Sequence, residues 1–288
     1  YFFDANYFSQ KKNDKIGYGL KDKLLFGESI KYLEQMQQPF YVKYLTVTNH
    51  IPFQLDPEDK DNNFTTTDTS NTTINNYFET AHYLDQSIKE FFDYLKKSGL
   101  DKNTMVILYG DHYGVGSSDD ELSALAPVLG KDFNNWTSYD TAELQKVPFM
   151  IHMDGIKGKV DNKISGEIDV LPTLLHLLGI LNKNYIQFGQ DLFSKQYRQV
   201  VVFRNGTIIT PKYVIIGGKG TKGTVYNQQT GEKITKFNKK QKEEINKLAS
   251  YGRTSLHYSD LLNNHNLLRF YTPAGFIPTN PNEFDYKV

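Results

Sequence analysis

The chain has 288 residues, a length that suits one large domain with a small appendage. Its 33 basic and 33 acidic side chains balance, so composition gives no reason to expect a nucleic-acid partner, which requires a basic patch or stripe. Cysteine is absent, which excludes disulfides, a thiol nucleophile and cysteine metal ligands. No stretch approaches the roughly 18 consecutive apolar residues of a membrane helix.

Hydrophobic periodicity predicts alternating helices and strands over the first two-thirds of the chain. Helices are predicted at residues 23–37, 75–98, 121–129 and 170–178, and strands at 40–48, 105–108 and 147–153. A strand, a long helix and a second strand form a crossover unit, which is right-handed in nearly all proteins. The pattern therefore predicts an α/β fold with a mainly parallel sheet between helices.

Asp111 and His112 follow directly after the apolar run at 105–108, which has no alternation and is too short for a helix. The run is typical of a strand buried on both faces, and residues beyond the carboxyl end of such a strand lie where open α/β sheets bind ligands. A carboxylate oxygen and an imidazole nitrogen are suitable ligands for one divalent ion. The alternative for an isolated Asp-His pair is a turn in which the aspartate caps the next segment.

His50 stands at the end of the predicted strand 40–48, as His112 does at the end of the later strand. If the two strands are neighbours, both imidazoles face one cleft. Taken alone, a histidine such as His50 is more often a hydrogen-bonding loop residue than a ligand or a substrate contact. The other histidines and Asp169 have structural interpretations: His152 as a buried strand residue, and Asp169 as a helix cap.

From residue 199 the pattern changes to short strands joined by Gly- and Asn-rich turns, which predicts an antiparallel appendage. A highly charged helical region follows at 237–264, with an expected interruption near Gly252. We therefore predict two domains: residues 1–195, an α/β domain, and residues 196–288, a small antiparallel β and helix subdomain.

Four motifs together resemble a known family. They are Leu-Thr-Val-Thr-Asn-His-Ile-Pro-Phe at 45–53, Tyr-Phe-Glu-Thr-Ala-His-Tyr-Leu-Asp-Gln-Ser at 77–87, Tyr-Gly-Asp-His-Tyr-Gly at 109–114 and Ile-Asp-Val-Leu-Pro-Thr-Leu-Leu-His-Leu-Leu-Gly at 168–179. The combination resembles the extracellular catalytic domain of the lipoteichoic acid synthases, the polyglycerolphosphate polymerases of Gram-positive bacteria. This family belongs to the sulfatase-like branch of the alkaline phosphatase superfamily, so the resemblance implies that fold.

The resemblance also implies roles for residues of the site. Asp111 and His112 match two ligands of a single catalytic Mn²⁺, for which Mg²⁺ is the alternative, and His50 matches a histidine that contacts the phosphate of glycerol phosphate. Tyr113 is expected either to contact a glycerol phosphate unit or to be structural. The implied reaction takes glycerol phosphate from phosphatidylglycerol and passes it, through a phosphothreonine intermediate, to the polyglycerolphosphate chain.

The chain departs from the family pattern in one respect. The resemblance places the nucleophilic threonine and a glutamate ligand well upstream of the strand that ends at His50, and only about forty residues precede that strand. We therefore expect the threonine upstream of Tyr1, and no catalytic nucleophile within the chain. We expect this chain to be the carboxyl-terminal portion of the enzyme. It should need the amino-terminal part of the same enzyme for activity and be inactive alone. The implied location is the extracellular face of the membrane, held by upstream helices, or the medium after proteolytic release.

Two alternative functions are also compatible with the sequence. One is a metal-dependent phosphatase, phosphodiesterase or sulfatase, in which water takes the phosphoryl or sulfuryl group. The other is a non-catalytic module that binds glycerol phosphate or teichoic acid.

Overall fold

The computed structural model describes residues 2–66, 68–180, 184–278 and 280. The helices are α1 (Asp22–Leu33), α2 (Thr72–Ser98), α3 (Asp119–Val128), α4 (Ser138–Glu143), α5 (Val170–Leu177) and α6 (Lys239–Asn264). The strands are β1 (Lys15–Ile16), β2 (Gly19–Leu20), β3 (Val106–Tyr109), β4 (Phe149–His152), β5 (Val201–Val202), β6 (Ile208–Ile209), β7 (Tyr213–Ile215) and β8 (Val225–Asn227). Within the described ranges, no helix combines the length and apolar character needed to cross a membrane.

The described residues divide into two compact units. The first contains the chain up to Trp136 together with Leu144–Lys157, and the second contains Thr137–Glu143 and the residues from Gly158 onward. The predicted domain boundary between residues 195 and 196 stays a prediction.

Helix α2 is the longest element of the first unit, and its sequence accounts for both of its ends. The Asn71 side chain accepts a hydrogen bond from the backbone N–H of Ile74 at the start, and Gly99 adopts a φ of 76° at the end. Phe91 of this helix stacks on Phe26 of α1, with ring centroids 5.0 Å apart. The prediction of a long amphipathic helix that stops at Gly99 is confirmed.

The pairing of the strands differs from the expectation of a mainly parallel sheet. Strand β3 pairs with β4 in antiparallel register, with Leu108 opposite Met150, and all strand pairs among the described residues are antiparallel. Residues 41–47, expected to form a neighbouring strand, have no strand assignment. Because a strand requires a ladder partner as well as a suitable local sequence, β-rich residues without such a partner remain an extended segment.

The second unit is built on a four-stranded antiparallel sheet in the order β5, β6, β7, β8, as the turn-rich sequence predicts. Ile208, Ile215 and Val225 of this sheet form a core with Ile245 of α6. Helix α6 is continuous, so the expected interruption near Gly252 is wrong. Gly252 is buried, and a Cβ there would lie 2.7 Å from Cδ1 of Ile208, so the glycine lets the helix approach the sheet.

Two further expectations for single residues are corrected. The Asp169 carboxylate does not cap α5 but closes a loop, because it accepts hydrogen bonds from the Gln190 backbone N–H and the Tyr197 hydroxyl, each at 2.8 Å. His152 is exposed on β4 and meets the ring of Phe92 edge-on.

Candidate functional site

The turn after β3 carries the Asp-His pair, and its glycines are required by close packing. A Cβ on Gly110 would lie 2.8 Å from Cβ of Val147, and a Cβ on Gly114 would lie 2.6 Å from Cε2 of Tyr77. Neither glycine has a positive φ. The glycines therefore let β4 and α2 pack directly against the turn, which fixes where the residues between them stand.

Asp111 and His112 present their side chains to solvent side by side. The Asp111 Oδ1 and His112 Nε2 atoms are 3.7 Å apart, and the two side chains are 76% and 58% exposed. Nδ1 of His112 lies 2.8 Å from the carbonyl oxygen of Tyr113, which can only accept a hydrogen bond. In a neutral imidazole this contact requires the proton on Nδ1, and the electron pair of Nε2, on the side of Asp111, could then bind a metal ion.

His50 is held by residues on both sides of it. The Asn49 side chain accepts a hydrogen bond from the Thr80 hydroxyl of α2, and the Phe53 N–H donates to the His50 carbonyl at 2.7 Å. Phe53 has a φ of 56° and is buried against Tyr77. These contacts close the turn on α2 and fix the direction of the imidazole.

The structure brings His50 and His112 together although they are far apart in the sequence. Their ring centroids lie 6.1 Å apart in an edge-to-face arrangement. Nδ1 of His50 lies 2.9 Å from the Ile51 carbonyl oxygen, and no hydrogen bond to its Nε2 is described among the residues of the structure. The His50 ring thus lies near the Asp111-His112 turn, although the segment before His50 is not the strand that was predicted there.

Tyr18 and Asp22 support this surface, and sequence reasoning missed both. The Tyr18 hydroxyl lies 3.2 Å from Nδ1 of His50, at the turn between β1 and β2. Asp22 is fully buried at the start of α1, where its carboxylate accepts from the N–H groups of Val47 and Thr48. Burial raises the pKa of Asp22, against the lowering effect of these hydrogen bonds. No local pattern distinguishes either residue, since each acts on a segment distant in the sequence.

A polar cavity of about 360 Å³ lies beside these residues in the first unit. Three of its lining residues are the immediate chain neighbours of Tyr18, Phe53 and Tyr77, so the cavity lies next to the His50 turn. The residues that line it include Lys15, Gly17, Gln54, Lys60 and Asn76. The cavity has room for a polar ligand, although His50, Asp111 and His112 are not among its lining residues.

The donor set fits a divalent ion in chemistry but is incomplete in number. One carboxylate and one imidazole with a free Nε2 suit Mn²⁺, Mg²⁺ or Zn²⁺. Across the described ranges, His, Asp and Glu side chains nowhere form a group of three or more that could hold a metal ion. Asp111 and His112 thus supply two ligands, and an ion bound there would need others.

The nucleophile was expected upstream of Tyr1, and Tyr1 itself lies outside the described residues. That expectation therefore stays a prediction. Thr48, the threonine nearest to His50 in the sequence, is buried in the structure. Its side chain is 1% exposed, and its hydroxyl accepts from the Asp22 N–H at 2.9 Å, so a substrate cannot reach it.

Comparison with known proteins shows which proteins the chain is similar to. Residues 1–180 match the sulfatase family model. The chain is 44% identical over 285 residues to lipoteichoic acid synthase 2 of Bacillus subtilis, an alignment covering 99% of this chain and 41% of that protein. It is 38% identical over 287 residues to lipoteichoic acid synthase of Staphylococcus aureus, covering 100% and 42%. The chain thus spans about two-fifths of the length of these curated relatives.

A solved structure shares the fold. The crystal structure of the lipoteichoic acid synthase LtaP from Listeria monocytogenes matches with a TM-score of 0.69 and 28% identity, over 89% of this chain and 64% of that one. This match confirms the predicted α/β sulfatase-like class, although the strand pairs described here are antiparallel. Enzymes of the matched family are metal-dependent, in accord with the Asp-His pair. Fold, motif positions and family match agree, and the chain belongs to the sulfatase family.

Proposed function

We propose that this chain is the carboxyl-terminal part of a glycerophosphotransferase that moves glycerol phosphate from phosphatidylglycerol to a growing polyglycerolphosphate chain. The observation that carries the proposal is the proximity of the His50 ring to the exposed Asp111-His112 turn. The similarity to lipoteichoic acid synthases over nearly the whole chain supports the choice of substrates. We place the reaction at the extracellular face of a Gram-positive membrane, by analogy with those relatives.

Asp111 and His112 would hold the ion, which we propose to be Mn²⁺, with Mg²⁺ as the alternative. When bound, such an ion polarises phosphoryl oxygens and lowers the pKa of a nucleophilic hydroxyl. The Nδ1–H contact to the Tyr113 carbonyl would orient the His112 ring for this role. The Asp-His turn is exposed, so a lipid headgroup can reach it without opening of the fold.

His50 and Tyr113 would bind the glycerol phosphate group. Nδ1 of His50 is occupied by the Ile51 carbonyl, and in a protonated ring Nε2 would donate a hydrogen bond to a phosphoryl oxygen as charge builds there. The Tyr113 side chain is 47% exposed beside His112 and offers a hydroxyl to a glycerol unit. These two residues therefore position the group, while the transfer itself needs a nucleophile.

We propose that the nucleophilic threonine and the remaining metal ligands come from the amino-terminal part of the same enzyme, upstream of Tyr1, whose helices also provide the membrane attachment. The share of the relatives' length that this chain spans supports this division. The burial of Thr48 supports it as well, because the threonine nearest to His50 in the sequence cannot serve.

The proposal is tested in a chimera in which this chain replaces the aligned segment of the Bacillus subtilis synthase 2. Fluorescent phosphatidylglycerol and Mn²⁺ are supplied, and diacylglycerol release is measured. Asp111→Asn and His112→Ala should each lower the rate by about 100-fold or more, the usual effect of removing a group that stabilises transition-state charge. His50→Ala should lower it by about tenfold or more.

Exposed residues outside the site provide matched controls. Asp119→Asn, in the first turn of α3, and His257→Ala, on α6, should leave the rate within about twofold. Equal rates in the site variants and these controls would contradict the proposal. Release of phosphate from simple monoesters without lipid cleavage would instead favour a phosphatase. Metal-independent glycerol phosphate binding that His50→Ala weakens, without turnover, would favour a binding module.

A further inference from the structure

Although the total charge of the chain is zero, one of its segments is strongly basic. Residues 195–247 contain twelve Lys and Arg against three Glu, which leaves 21 basic and 30 acidic residues in the rest of the chain. The segment therefore carries a formal charge of +9 within a neutral protein. Such asymmetry indicates an interaction with a polyanion or a charged surface.

Six lysines of this segment form what we call the lysine face, on α6 and on the loop between β7 and β8. The loop contacts the helix directly, because the Thr221 N–H and hydroxyl both donate to the Asn246 side chain at 3.1 Å. Arg253 of α6 also donates to the Gly218 carbonyl of the loop. The members are Lys219, Lys222, Lys239, Lys240, Lys242 and Lys247.

The charges of the lysine face are available to a ligand. All six side chains are exposed, and none takes part in an ion pair described for residues of this structure. Glu244 is the acidic residue of α6 that could neutralise these lysines from the side of the helix. It is instead paired with Lys212 at 2.9 Å. Glu243 is the acidic residue of the face itself, so the positive charge is reduced but not cancelled.

The first turn of α6 carries charges that lower the stability of a helix. Its first turn contains Lys239, Lys240 and Lys242 and no acidic residue, although the positive end of the helix dipole disfavours cations there. The helix is otherwise well capped, since Asn238 and Gln241 form a capping box. Local choices that lower stability are expected where a function requires them.

The composition of the surface favours a flexible soluble polyanion over a bilayer. Membrane-surface segments combine basic residues with apolar anchors that enter the headgroup region. Among the described residues, no large apolar side chain between 194 and 257 is exposed. The predominance of lysine, a point charge without the planar geometry of arginine, suits phosphates held without a fixed orientation.

We propose that the lysine face is a docking surface for the anionic polyglycerolphosphate chain, holding its phosphodiesters by charge while transfer takes place at its end. This inference rests on the proposed function for the identity of the polymer. Because charged contacts release counterions, the affinity should fall steeply as salt rises.

The experiment measures binding of fluorescently labelled oligo(glycerol phosphate) to the 288-residue chain, without metal or lipid, at low and physiological ionic strength. One triple variant carries the substitutions Lys239→Gln, Lys240→Gln and Lys242→Gln. It should bind the oligomer about tenfold more weakly at low salt, and its affinity should depend less steeply on salt. It should also melt at an unchanged or higher temperature, because the first turn of α6 loses unfavourable charge. A control with Lys11→Gln, Lys12→Gln, Lys96→Gln has the same net charge and should bind within about twofold of the wild type.

Equal binding by the two triple variants would overturn the inference, as would wild-type binding to phosphatidylglycerol vesicles that the soluble oligomer cannot displace. The latter result would assign the surface to the bilayer. Since binding is measured without turnover, the outcome is separate from that of the transferase proposal. Oligomer binding by the 288-residue chain, together with a chimera that releases no diacylglycerol, would contradict only the proposed function.

Discussion

At the scale of single residues, the candidate site contains side chains that the sequence motifs identify. It also depends on supporting residues that those motifs do not identify. The Asp111-His112 pair and His50 were identified from strand ends and motifs, and the structure brings the two histidines to 6.1 Å. Their metal and substrate roles remain predictions. Asp22 shows what was missed: a buried carboxylate that holds a segment some 25 residues away is not visible in any local pattern.

Asp22→Ala should destabilise the protein by about 1–3 kcal/mol, because the buried N–H groups of Val47 and Thr48 lose their acceptor. Asp22→Asn keeps an acceptor oxygen and should cost less. Chemical denaturation of the three proteins at neutral pH measures the difference. Equal losses for the two variants would contradict the role assigned to the hydrogen bonds.

The same carboxyl group predicts a pH dependence. Burial raises the pKa of Asp22, so the native state holds the proton to a higher pH than the unfolded state does. The contribution of Asp22 to stability should therefore fall as pH rises from the unfolded pKa to the raised native pKa. Relative to the wild type, Asp22→Asn should become more stable across that window. A constant difference between the two unfolding free energies would show that Asp22 does not titrate in this way.

At the scale of elements, helices were predicted better than strands. The apolar stripe of α2 and the glycine after it carry the information for that helix locally, and both were read correctly. Strand β3 was also located, but its antiparallel partner and the lack of a ladder for residues 41–47 depend on distant backbone groups. The continuity of α6 through Gly252 likewise follows from packing against Ile208.

Gly252→Ala tests that packing. Alanine favours a helix, but its Cβ would lie 2.7 Å from Cδ1 of the fully buried Ile208, so we expect a net loss of about 1–3 kcal/mol in unfolding free energy. Ile208→Val removes that carbon, so the double variant should lose less than the sum of the single variants. Gly27→Ala in α1 is the matched control: nothing lies within 4 Å, and a gain of about 0.5–1 kcal/mol is expected. If both glycine variants shifted stability in the same direction, close packing at Gly252 would be refuted.

At the scale of the whole molecule, the chain combines two exposed metal-ligand candidates with a separate basic module. The family match and the shared fold place the chain among sulfatases, while its similarity to lipoteichoic acid synthases extends over about two-fifths of their length. The ligands and the nucleophile that we propose to complete the site could not be identified from this sequence. Neither could the lysine face be inferred from a total charge of zero, because the excess appears only in a local count.

The affinity for Mn²⁺ should differ between this chain alone and the chimera. Two protein donors hold a divalent ion weakly, so the 288-residue chain should bind Mn²⁺ at least about tenfold more weakly than the chimera described above. Electron paramagnetic resonance of free Mn²⁺ in titrations of each protein measures both affinities. Equal affinities would mean that the chain holds the ion without help from other residues.

The fate of the glycerol phosphate group tests the central claim most directly. The chimera is given phosphatidylglycerol with a labelled headgroup, Mn²⁺ and an acceptor oligo(glycerol phosphate), and the labelled products are separated by size. A transferase predicts label in acceptor chains extended by whole glycerol phosphate units, and loss of that label with Asp111→Asn. Label found only in free glycerol phosphate or inorganic phosphate would contradict the account and identify a hydrolase.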